Sequence, residues 1–132
     1  MKSALALLVV LTLGTTAATG QTAKEIKTKK GVSVPLVNLL NLRPGCTGSP
    51  APVAIPVVRD KPANGTVLML IVATDVAAAG NCAARKAPAI ALVYSPKSDF
   101  TGTDSVGIEI ENGNRTTVLT YQISVMPPGD SL

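Results

Sequence analysis

Tyr94-Ser95-Pro96-Lys97-Ser98-Asp99-Phe100-Thr101-Gly102-Thr103-Asp104-Ser105-Val106 reads as the end of one strand, a tightly punctuated corner and the start of the next. Pro96 has no amide hydrogen to give a sheet ladder, and Gly102 accepts a positive φ at little cost. Phe100, the single phenylalanine of the chain, falls mid-corner, where an aromatic ring can plug the end of a sandwich. Asp99 and Asp104 flank the corner, and an aspartate there ordinarily accepts backbone N–H bonds. Such a corner speaks about fold and says little about chemistry.

Downstream the pattern has period two. Val106, Ile108 and Ile110 fall on one face, while Ser105, Gly107, Glu109 and Glu111 fall on the other. Asn112-Gly113 makes a hairpin, and Asn114-Arg115 starts the return strand. On that strand Leu119, Tyr121, Ile123 and Val125 share a face, and Pro127-Pro128-Gly129 ends the sheet.

Upstream, residues 89–94 make the strand that leads into the corner. The Ala-rich stretch 75–88, with Gly80-Asn81-Cys82 and Arg85-Lys86, reads as an irregular loop held by a disulfide. Thr66-Val67-Leu68-Met69-Leu70-Ile71-Val72-Ala73-Thr74 is apolar on both faces, as in a central strand covered on both sides. Asp60-Lys61-Pro62-Ala63-Asn64-Gly65 carries the Asn-Gly hairpin signal. Val53, Ile55 and Val57 alternate in an edge strand beside Pro52 and Pro56, and residues 43–50 are a loop by composition. Residues 32–42 are an apolar stretch broken by Pro35, which suits an edge strand or a strand with a jog. About seven short strands with turns between them, and no long helical period, predict an all-β sandwich.

The pairing of Pro62-Ala63-Asn64-Gly65-Thr66-Val67 with Tyr94-Ser95-Pro96, then Phe100-Thr101-Gly102-Thr103-Asp104-Ser105-Val106, resembles the bacterial immunoglobulin-like, cadherin-like repeat family. The likeness runs over residues 53–126. It implies a Greek-key sandwich used as a spacer, adhesion or interaction module in exported proteins, with Tyr94, Pro96, Phe100, Gly102 and Asp104 as its structural corner. Members usually occur in tandem within long surface proteins; here one copy follows a leader of its own. Cys46, Cys82 and the 75–88 stretch depart from the family pattern and mark what is particular to this chain.

That leader has three parts. Lys2 supplies a positive charge, residues 4–13 are apolar apart from Thr12, and residues 14–20 are small and polar. The apolar run, about ten residues, is too short to span roughly 30 Å of hydrocarbon as a helix, which favours a cleaved signal peptide over an anchor. The expected organisation is therefore a signal peptide over 1–20, a flexible basic leader over 21–30, the sandwich over 31–126 and a tail over 127–132. The protein is expected to be exported, to the periplasm or beyond the cell, with no transmembrane segment in the mature chain.

Two cysteines in an exported chain read as one disulfide, Cys46–Cys82. In the loop-entropy account such a link stabilises by roughly 3–4 kcal/mol. There is no histidine and no Cys-x-x-Cys spacing, so an ordinary zinc site and a dithiol redox site are both excluded. The formal net charge is +4, falling to +3 without Lys2. Lys24, Lys27, Lys29 and Lys30 crowd together without an aromatic among them, which fits a solvated arm better than a nucleic-acid site.

Without histidine the commonest general base is missing, and Ser95, Ser98 and Ser105 have nothing to activate them. Asp99 and Asp104 are too sparse for a cadherin-type calcium cluster, so no cofactor is expected. The sequons at Asn64 and Asn114 fall in turns that want asparagine anyway. The expectation is a non-catalytic module that binds a protein or cell-envelope component and no nucleic acid. The alternative is a secreted inhibitor or ligand-binding protein that inserts its disulfide-held 75–88 loop into a target.

Overall fold

A computed structural model of the protein describes residues 23–40, Cys46 and residues 55–132. They form seven strands: β1 Lys24–Lys29, β2 Val34–Leu40, β3 Val57–Asp60, β4 Gly65–Val76, β5 Arg85–Pro96, β6 Gly102–Asn112 and β7 Arg115–Met126. No helix occurs among the described residues. One sheet runs β1-β7-β6-β3 and the other β2-β5-β4. This is the immunoglobulin order, with the second, fifth and fourth strands facing the third, sixth and seventh, and the first strand joined to the seventh. The expected signal peptide, most of the 43–50 loop and Val53 lie outside the described residues.

The core is what alternation requires. Leu36, Leu92 and Tyr94 from the three-stranded sheet meet Val106, Ile108, Tyr121, Ile123 and Val125 from the four-stranded sheet. Phe100 packs against this cluster from the corner, in the plugging role expected of it. Gly102 has φ 131°, and a Cβ there would lie 3.4 Å from the Phe100 ring. The jog in β2 is a register shift between Pro35 and Val37 against β5.

Five expectations change. The basic leader is not loose over residues 24–29, because β1 pairs parallel with β7 from Lys24–Tyr121 to Lys29–Met126. Only Ile26 offers an apolar side chain to the core; Thr28 is buried because its hydroxyl donates to the Val32 carbonyl oxygen at 2.8 Å. Of the 53–57 strand, the described Ile55 and Pro56 are not strand, and β3 begins at Val57, behind the fully buried Pro56. The Asn64-Gly65 turn joins two different sheets and is not a hairpin.

The fourth change concerns the β6–β7 hairpin, which turns one residue later than the Asn-Gly signal implies. Asn112 pairs with Arg115, and Gly113 (φ 61°) and Asn114 form the loop. Glycine in the first loop position is the type II′ choice. The fifth is the 75–88 stretch, both ends of which are strand: β4 and β5 pair without interruption from Gly65–Pro96 to Val76–Arg85. Only residues 77–84 are loop, closed by a bridge between Ala79 and Cys82.

Gly65 is required by a close approach. A Cβ there would lie 2.5 Å from the Tyr94 ring and 2.7 Å from the Ser95 carbonyl oxygen, and that backbone cannot yield. Gly65→Ala is expected to lower stability by about 1–3 kcal/mol in urea unfolding, the cost of overpacking. Gly129→Ala, with nothing within 4 Å of its Cβ position, serves as the neutral control. Equal midpoints for the two variants would refute this account.

Candidate functional site

Two places in the fold stand out, and they differ in kind. The first is the corner. Asp104 lies in β6, 5% exposed, with its carboxylate turned back toward the 61–64 turn. Oδ1 accepts the Ala63 N–H at 3.0 Å and the Ser105 N–H at 2.9 Å. Oδ2 accepts the Asn64 N–H at 2.9 Å and the Tyr94 hydroxyl at 2.8 Å. Tyr94 is itself fully buried, and its hydroxyl also lies 3.5 Å from the Asn64 carbonyl oxygen. Lys97 completes the join, its N–H donating to Asn64 O at 2.9 Å and its ammonium to Ala63 O at 3.3 Å.

This is a structural lock. A carboxylate that accepts four hydrogen bonds is fully occupied, and it satisfies a turn whose own donors would otherwise be orphaned. Burial, the hydrogen bond to Asp104 and the negative charge of that carboxylate all raise the Tyr94 phenol above its ordinary value of 10.0, and burial raises Tyr121. Of the corner residues, Tyr94, Asp104 and Phe100 are brought together with the core, Pro96 ends β5 opposite Gly65, and Gly102 opens β6. Asp99 is exposed.

The second place was misread from sequence. β4 is not covered on both sides; among the described strands it is an edge of the three-stranded sheet and pairs with β5 alone. Leu68, Met69 and Leu70 are about half exposed and Ile71 is 80% exposed. Of all β4 residues, Val67 alone joins the core, so Met69 and Ile71, on the same side of the strand, lie past the packed interior. On the other side Leu68, Leu70 and Val72 stand opposite Val93, Ala91 and Ala89, and Ala89 and Ala91 are small enough to be buried between their larger neighbours. Ile71, Val72, Ala73, Lys86, Ala87 and Pro88 line a shallow depression there.

The disulfide forms as expected, with the Cys46 and Cys82 Cα atoms 5.2 Å apart, and it fastens the loop end of the β4–β5 hairpin. Two ion pairs lie at the surface: Arg59 with Glu109 and Lys86 with Asp75, each at 2.6 Å. Among the described residues no three His, Cys, Asp or Glu side chains come together as a metal centre would need. None of those residues forms a helix long and apolar enough to cross a membrane.

Asp104→Ala is expected to cost at least about 3 kcal/mol, because it strands several donors at once, and Tyr94→Phe about 1.5–3 kcal/mol for one bond to a charged acceptor. Urea unfolding of both single variants and the double variant checks this, the double costing less than the sum. A full sum would mean that the two side chains act independently.

The phenols give a pH prediction with a definite sign. A folded pKa above the unfolded value of 10.0 stabilises fully below pH 10 and is lost as the pH climbs beyond it. The chain has two tyrosines and no tryptophan, so the tyrosinate absorbance band reports Tyr94 and Tyr121 alone. It is expected to rise together with loss of the sheet signal in circular dichroism. Titration near pH 10 in a chain that keeps its sheet would contradict the geometry.

No protein-family model matches the chain, and no curated protein matches it significantly.

Proposed function

We propose that the protein is a non-catalytic, exported interaction module that binds a protein or cell-envelope component along the open edge of β4. The observation that carries this is four consecutive exposed apolar residues, Leu68, Met69, Leu70 and Ile71, on a strand whose outer side meets no other of the described strands. An edge of this kind accepts an added strand, with affinity from main-chain hydrogen bonds and selectivity from alternate side chains. The disulfide supports the exported setting, since such bonds persist in oxidising compartments. The strand order and the Tyr94–Asp104 corner are in keeping with the immunoglobulin-like, cadherin-like resemblance, and modules of that kind work by contact.

No reaction is assigned. Asp104 is taken up by the corner, and the chain contains no histidine to act as a base. A second reading, an inhibitor that inserts the β4–β5 tip into a target, is favoured by one feature. Gly80 (φ 55°) and Asn81 form a short turn closed by the Ala79–Cys82 bridge and fastened through Cys82 to Cys46.

One retention experiment separates the two. The exported protein, immobilised, is expected to retain a component of the host's envelope or secreted fraction, and Ile71→Lys is expected to abolish that retention while Asn81→Arg leaves it. Retention lost with Asn81→Arg and kept with Ile71→Lys would transfer the function to the hairpin tip. Retention of nothing by the unaltered protein would remove both readings.

A further inference from the structure

We infer that the partner of the β4 edge is a second copy of this chain, paired antiparallel through β4 about a two-fold axis at Leu70. The inference rests on the reading of β4 as the binding edge and names its occupant.

The first argument is the contrast among the four sheet edges. β1 carries Lys24, Glu25, Lys27 and Lys29. β3 has four residues, a register shift, and the charged Arg59 and Asp60. β2 carries Pro35 and a shift of its own. Charge, proline, shortness and bulging are the devices that keep sheet edges from pairing. β4 has none of them: twelve residues in unbroken register, no proline, and a single charged side chain near one end. Among the described strands three edges are protected and one is left to pair.

The second argument is that β4 complements itself. In an antiparallel pair, residues directly opposite share a face, so a two-fold axis normal to the sheet must pass through a residue. With the axis at Leu70, Leu70 meets Leu70 of the other copy, Met69 meets Ile71, Leu68 meets Val72 and Thr66 meets Thr74. Cross-strand apolar pairs and Thr–Thr pairs are the favourable kinds. Asp75 of one copy falls opposite Gly65 of the other, beside the turn where Lys97 is bonded to Ala63 and Asn64. Asp75, paired with Lys86 in its own chain, thus meets a glycine, and no acidic group is set against another. Shifting the axis to Ile71 would set Asp75 against Val67, and shifting it to Met69 would put Gly65 against Ala73 and Thr66 against Val72, and would leave Asp75 opposite Ala63, outside β4. Leu70 is the register that keeps apolar residues opposite apolar ones and threonine opposite threonine.

The test is sedimentation equilibrium of the exported protein across a concentration series, joined to amide hydrogen exchange. The expected result is a dimer, with alternate β4 amides protected at high concentration. Ile71→Lys is expected to weaken dimerisation at least about tenfold, because a lysine on an edge strand opposes pairing. Ile71 is so exposed in the single chain that its sheet signal should not change. Leu70→Cys is expected to cross-link two copies on oxidation, whereas Ala79→Cys is not.

A monomer at every concentration, a dimer unaffected by Ile71→Lys, or a dimer without β4 protection would overturn the inference. A monomer whose retention of some other component is still lost with Ile71→Lys overturns the second copy alone. If that retention is also indifferent to Ile71→Lys, the binding-edge reading falls with it.

Discussion

The structure depends on one buried carboxylate. Asp104 joins three parts of the chain far apart in sequence: the 61–64 turn, the end of β5 and the start of β6. A charge removed from water is costly unless every lone pair finds a donor, and here two turn amides, its neighbour's amide and a phenol supply them. The arrangement fixes where the chain crosses from sheet to sheet. β4 enters one sheet directly after the turn that Asp104 holds, and β6 leaves the corner two residues before Asp104. Tyr94 links this polar join to the apolar interior, with its ring in the core and its hydroxyl on Asp104.

Gly65 belongs to the same arrangement. The Tyr94 ring can lie across the first residue of β4 only because that residue has no side chain. Phe100 closes the same end from the other side of the corner, so polar and apolar contacts there reinforce each other. The sandwich is thus tightly determined at its corner end, and the apolar surface left open lies farther along the β4–β5 hairpin.

How much of this could be read from sequence depended on whether a segment's partners were local. β6 and β7 were legible because Val106, Ile108, Ile110 and Leu119, Tyr121, Ile123, Val125 alternate cleanly and meet across a short hairpin. The capping role of Asp104 was legible in kind but not in target, since the amides it satisfies lie about forty positions earlier. β1 was missed because parallel pairing to β7 needs no local pattern: one isoleucine and one hydrogen-bonded threonine suffice among the lysines. β4 was misplaced because an apolar run on both faces has the same appearance whether a strand lies mid-sheet or at an open edge. Only the sheet order tells the two apart.

The parallel joining of β1 to β7 has a mechanical consequence. The two strands run in the same direction, so the chain enters β1 at one end of the ladder and leaves β7 at the other. Tension applied along the chain between Lys24 and Met126 would slide the strands past each other and load all six residue pairs together, not peel them apart one by one. Resistance to such a pull is set by the rate of unfolding, not by equilibrium stability. The basic segment read from sequence as loose is the strand through which that load would pass.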